Sequence, residues 1–235
     1  MEYRDQKWRI PDMIIVILSI ICLVLASNII LILLNAEEFL LKSEYKNLIV
    51  LALFLLQEAI FLLPLYFLVI KNYRLKLADL GLNKIKLWET IKWVFKGFGI
   101  VIIFNALVLI LIGPETSLPG FKPQEPHITL FDTSPFGVGA AIVVFIFIAP
   151  VVEEILFRGF IFQTLLGKFT PWIASAISGG IFAFIHFEFQ SIGIILFLAF
   201  VLNWIFMRSK SLWPCIGFHM LNNALVFLVE ILLYK

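Results

Sequence analysis

Residues 136–158 read FGVGAAIVVFIFIAPVVEEILFR. Seventeen residues pass without a charge before Glu153, Glu154 and Arg158 arrive within an apolar pattern that continues around them. A run of this length is what a helix needs to cross a bilayer core of about 30 Å. Charged side chains at that depth are costly in lipid and turn toward the interior of a helical assembly. This one stretch therefore predicts both a membrane helix and a polar interior for it to face.

The rest of the chain agrees. Of 235 residues, 62% are hydrophobic and 14% charged, with a mean hydropathy of +1.04. A soluble domain is about half apolar and a quarter charged. A compact chain of this size has too much surface to hide such an excess from water. The 25 phenylalanines and the long aliphatic runs must face lipid, so membrane lipid is the first partner expected. A net charge of +2 is too small to suggest nucleic acid. Cys22 and Cys215 form neither a CxxC pair nor a disulfide framework and read as small buried hydrophobes.

The apolar runs predict an all-α, polytopic membrane helix bundle forming a single transmembrane domain over 1–235. About seven transmembrane helices (six to eight) are expected, near 12–34, 47–70, 93–112, 136–158, 171–187, 191–207 and 212–233. With the N-terminus cytoplasmic, thirteen lysines and arginines fall inside: Arg4, Lys7, Arg9, Lys71, Arg74, Lys76, Lys84, Lys86, Lys92, Lys96, Lys168, Arg208 and Lys210. Four fall outside, Lys42, Lys46, Lys122 and Lys235, which is the bias of a plasma-membrane protein with a cytoplasmic N-terminus. Residues 72–92, basic and carrying Trp88, read as an interfacial amphipathic helix on the cytoplasmic leaflet. Residues 113–135, rich in proline, read as an exposed outer loop that includes His127.

Chemistry is then confined to the polar residues inside the spans. At about 100° per residue, Glu154 and Arg158 share a helix face and can pair, while Glu153 stands about 140° from Arg158. A structural ion pair leaves that second carboxylate spare. Phe182 and His186 are four apart, so the ring can wall off the imidazole; His219 and Asn223 are also four apart, with Asn222 on nearly the same face. A carboxylate and a histidine can hold and deprotonate a water. A second histidine and an amide can donate to a developing oxyanion. Glu58 and Asn105 read as packing or cavity-lining residues, and Gln57 and Asn203 complete the polar set.

Glu153-Glu154-x-x-x-Arg158, Phe182-x-x-x-His186 and His219-x-x-x-Asn223, in this order on successive hydrophobic helices, resemble the motifs of the CAAX protease and bacteriocin-processing (Abi) family of intramembrane proteases. The motifs lie within 136–225. Asp79-Leu80-Gly81-Leu82 is also similar to a family feature. The resemblance implies an endopeptidase of glutamate type acting on a membrane-associated peptide or protein, in peptide maturation or export or in bacteriocin self-immunity. It assigns Glu153 as general base with His186, His219 and Asn223 as the oxyanion site, and Glu154 with Arg158 as the pair that holds the first carboxylate. No cofactor is expected, since His-Glu-x-x-His is absent. Zinc held by Glu153, His186 and His219 is the alternative.

Two other functions compete: a non-catalytic membrane scaffold or immunity protein of the same fold that binds a partner, and, more distantly, a transporter, for which no inverted repeat is visible. Straight helical hairpins raise one conflict. They place His186 near the outer end of its span and His219 near the inner end of its own, too far apart in depth to meet. A short or re-entrant fifth helix would remove it.

Overall fold

The computed structural model describes residues 7–112 and 130–233, and among them there are helices and turns but no strand. Arg4, most of the proline-rich loop with Lys122 and His127, and Lys235 lie outside the described residues. Eight helical runs follow one another. They are α1 (Ile10–Leu33), α2 (Ala36–Lys42), α3 (Lys46–Ile70), α4 (Leu87–Ile112), α5 (Pro135–Leu166), α6 (Pro171–Ile185), α7 (Ile192–Ser209) and α8 (Leu212–Leu233).

Six of these, all but α2 and α6, are long and apolar enough to cross a membrane. The protein is therefore an all-α multi-pass membrane protein. In the place of the fifth expected span stands α6, with 15 residues, about 22 Å, shorter than the other spans. Its limits are chemical. Gly167 and Pro171 separate it from α5, and Phe187 takes φ +53 immediately after His186, turning the chain out of the helix. The fourth span is longer than its apolar run, reaching Leu166. Gln163 and Thr164 donate to the carbonyls of Gly159 and Phe160 at 2.7 Å, so two polar side chains extend the helix at no hydrogen-bonding cost.

The segment 72–92 is not the continuous helix expected. It is turns and irregular chain until α4 begins at Leu87. Gly81 at φ +89 and Arg74 at φ +50 break any helix there. Cys22 is exposed on α1, whose Ile14, Ile15 and Leu18 are exposed too, as a lipid-facing helix requires; Cys215 is buried as expected.

By contact density the described residues form two compact units. The first comprises residues 76–112 and 157–219. In it α6 packs on α7 and α7 on α4. Phe157, Phe160, Phe162, Phe206 and Phe218 are its buried aromatics. The Asp79–Leu82 stretch is stitched to the α7–α8 turn: Leu212 N–H donates to Gly81 O at 2.8 Å, Ser211 Oγ–H to Asn83 O at 2.9 Å, and Asn83 Nδ2 to Lys210 O at 3.1 Å.

The second unit comprises residues 7–75, 130–156 and 220–233. There α1 packs on α3, and α3 packs on the Pro135–Glu154 part of α5. Phe54, Phe131, Phe145 and Phe227 close around Ala140 and Ala141. The start of α5 is capped by Ser134 Oγ, which accepts from Gly137 N–H at 3.1 Å. Asp132 in turn accepts from Ser134 N–H at 2.9 Å.

Candidate active site

The first unit holds an arginine, two histidines and the ring between them. Arg158 is completely buried. Its Nε donates to Asn203 Oδ1 at 3.2 Å and its Nη2 to Ala199 O at 3.3 Å, both on α7. Its guanidinium carbon stands 4.6 Å from the centre of the Phe182 ring, a cation–π contact worth about 2 kcal/mol when desolvated. Asn203, which the sequence reading left without a role, is thus a partner of the arginine. Only packing of α5 on α7 could reveal it, because the two positions are 45 residues apart.

Phe182 is the hub of this group. Phe157 meets it edge-on at 4.9 Å, the His186 ring lies 4.6 Å from it, and the His219 ring 6.2 Å. One phenyl ring therefore has both imidazoles as neighbours. Phe182, on the short α6, is the residue that brings both imidazoles to one ring. His186 Nδ1 lies 2.7 Å from the carbonyl of Phe182. A carbonyl only accepts, so Nδ1 carries the proton, and in neutral imidazole the lone pair sits on Nε2. That tautomer can take a proton from water.

The second unit holds the carboxylates. Glu154 is completely buried, and Glu153 is half-buried with its Oε2 atom enclosed. The helical arithmetic between them and Arg158 changes, however. Residues Ile155–Phe162 form π-helical turns, in which backbone bonds join residues five apart. The 140° spacing of an ideal α-helix therefore does not apply across this stretch. Glu58 of α3, read as a packing residue, is 6% exposed with Oε2 unpartnered among the described residues, and it lies within electrostatic reach of Glu153.

Asn223, four residues after His219 on α8, is anchored through its amide. Nδ2 donates to Phe145 O at 2.9 Å, and Oδ1 accepts from Asn222 Nδ2 at 3.5 Å. Phe145 lies in the π-helical turns Ile142–Ile148, where the widened spacing frees carbonyls for such a bond. One Nδ2 hydrogen is used there and the other is available. Asn222 thus contacts the Asn223 amide from the neighbouring position. Within either unit the described residues hold no group of three His, Cys, Asp or Glu able to ligate a metal ion.

Residues 135–225 match the family model described as type II CAAX prenyl endopeptidase Rce1-like. This bears out the resemblance read from the three motifs, all of which fall inside the match. A Bacillus subtilis (strain 168) protein, YdiL, whose name marks it only provisionally as a membrane peptidase, is 29% identical over 90 residues, covering 38% of this chain and 37% of that one. The membrane-embedded CAAX protease MroQ of Staphylococcus aureus (strain USA300) is 28% identical over 152 residues, covering 60% and 59%. The chain thus spans less than two thirds of either relative. No solved structure matches it. The comparisons point to a peptidase of the membrane.

Proposed function

We propose that this chain is a glutamate-type intramembrane endopeptidase that hydrolyses a peptide bond of a membrane-associated peptide or protein. Glu153 takes a proton from a water that His186 Nε2 also holds, and the water oxygen attacks the scissile carbonyl. His219 and the second Nδ2 hydrogen of Asn223 donate to the oxyanion that forms. As the C–N bond breaks, the proton returns to the leaving amine. Glu154 and Arg158 hold the helix that presents Glu153. The observation that carries this reading is the pair of imidazoles flanking Phe182, with His186 in the tautomer whose Nε2 can accept from the water. The motif match over 135–225 supports it. Peptide maturation, export or bacteriocin self-immunity are the roles such an activity would serve, and no metal enters the scheme.

The test follows cleavage of a quenched fluorescent membrane-peptide library by the full chain in nanodiscs. Glu153→Gln and His186→Ala are measured alongside, each with and without a chelator. The reading expects both variants to lose about 10²–10⁴-fold in rate, with chelation harmless. Loss on chelation and recovery with zinc would turn the same residues into metal ligands. Full biological effect in cells of Glu153→Gln would replace the protease with a scaffold.

A further inference from the structure

A second feature of the first unit lies apart from the histidines. Between α4, α6 and α7 runs a cleft of about 540 Å³, lined by Ile100, Trp172, Phe197, Val201, Trp204 and Arg208 among others. That volume falls in the range of small-ligand sites. On α7 the positions 197, 201, 204 and 208 form one stripe at helical spacing. Eleven residues of helix cover about 16 Å, the depth of one leaflet's hydrocarbon.

The stripe is graded along its length. Its deep end is Phe197, stacked on Phe104 of α4 at 3.6 Å between ring centres. Its other end is aromatic and then cationic. Trp204 meets Trp93 edge-on at 5.5 Å, Lys96 stands 4.4 Å over Trp93, and Trp172 is 80% exposed. Arg208 is exposed in the last turn of α7. Tryptophans favour the headgroup level, and cations beyond them meet phosphates. The lysine and arginine bias of the chain assigns this end to the cytoplasmic leaflet, where anionic lipids concentrate.

We propose that this cleft is a binding site for an anionic phospholipid, with one acyl chain lying along Phe197–Trp204 and the phosphate held by Arg208. A neutral phospholipid fits the apolar wall equally well, so the preference resides in the cationic rim. The site is independent of the protease reading, since none of its residues belongs to the proposed chemistry.

Native mass spectrometry of the full chain, released from nanodiscs of equal phosphatidylglycerol and phosphatidylcholine, tests it. Wild type is expected to retain phosphatidylglycerol about five-fold over phosphatidylcholine, the worth of one interfacial cation. Arg208→Gln brings the two to parity, and Arg208→Lys keeps the preference. Ile100→Trp fills the cleft and lowers retention of both lipids, whereas Ile100→Ala, which tests for a folding defect at that position, does not. Equal retention by wild type, or an Arg208→Gln protein that keeps its preference, overturns the site. So does a retained peptide, in place of lipid, that Ile100→Trp displaces.

Discussion

Arg158 shows how much one side chain can organise. Its guanidinium is completely buried, and a lysine at the same position would have one nitrogen in place of the Nε and Nη2 that separately reach Asn203 Oδ1 and Ala199 O. Arg158→Lys is expected to destabilise the protein by about 3 kcal/mol, read as a lowered midpoint of thermal unfolding in detergent. Because Nε donates to Oδ1, the orientation of the Asn203 amide is assigned, and its Nδ2 has no partner among the described residues. Asn203→Leu strands a guanidinium donor and should cost about 1–3 kcal/mol. Asn203→Asp keeps the acceptor and removes the unpartnered N–H, so it should unfold above the leucine variant. A reversed order in the same melting series would remove Asn203 as the arginine's partner. The Arg158–Asn203 contact was not legible in the sequence, where Arg158 has only Glu154 within a turn of it.

At the scale of the elements, two junctions decide geometry. Gly81 sits at φ +89, and a Cβ added there would stand 2.8 Å from Phe206 Cε2. Gly81→Ala is therefore expected to cost about 1–3 kcal/mol and to loosen the turn between α7 and α8, measured as faster amide exchange at Leu212, whose N–H bonds Gly81 O. The start of α5 offers a pH dependence. Hydrogen bonds from the Ser134 side chain, then from Asn47 and the Ser134 backbone, hold the Asp132 carboxyl below its ordinary value. A lowered folded-state value means that the contribution to stability is present above the ordinary carboxylate range and is lost as pH falls through it. Unfolding measured between pH 7 and pH 3 should show a decline that is shallower in Asp132→Asn. At the other side of the same unit, Tyr73 donates to Asp12 at 3.0 Å, which raises the phenol above its ordinary value. That contribution is present at neutral pH and is lost in strong alkali.

For the whole molecule, the distribution of lysine and arginine fixes an expected orientation with the N-terminus cytoplasmic. Single cysteines placed at Lys84 and at Ser43 in a Cys22→Ser, Cys215→Ser background should react with an impermeant thiol reagent from opposite sides of intact cells. Only the Ser43 position should react from outside, and the reverse pattern would invert the topology.

Composition and the period of apolar residues were enough to determine that the chain lives in a membrane, that it is all helical, and where most helices start and stop. They also singled out the polar residues within the spans, because any charge at membrane depth is conspicuous against so apolar a background. The short α6, the π-helical turns beside Glu154, the stitched Asp79–Leu82 segment and the Arg158–Asn203 bond were decided only in three dimensions. Hydropathy records how apolar a stretch is, not where its backbone turns or which helix it packs on. The meeting of His186 and His219 at one phenyl ring belongs to that second class: it depends on a helix ending at 15 residues where lipid alone would have let it continue.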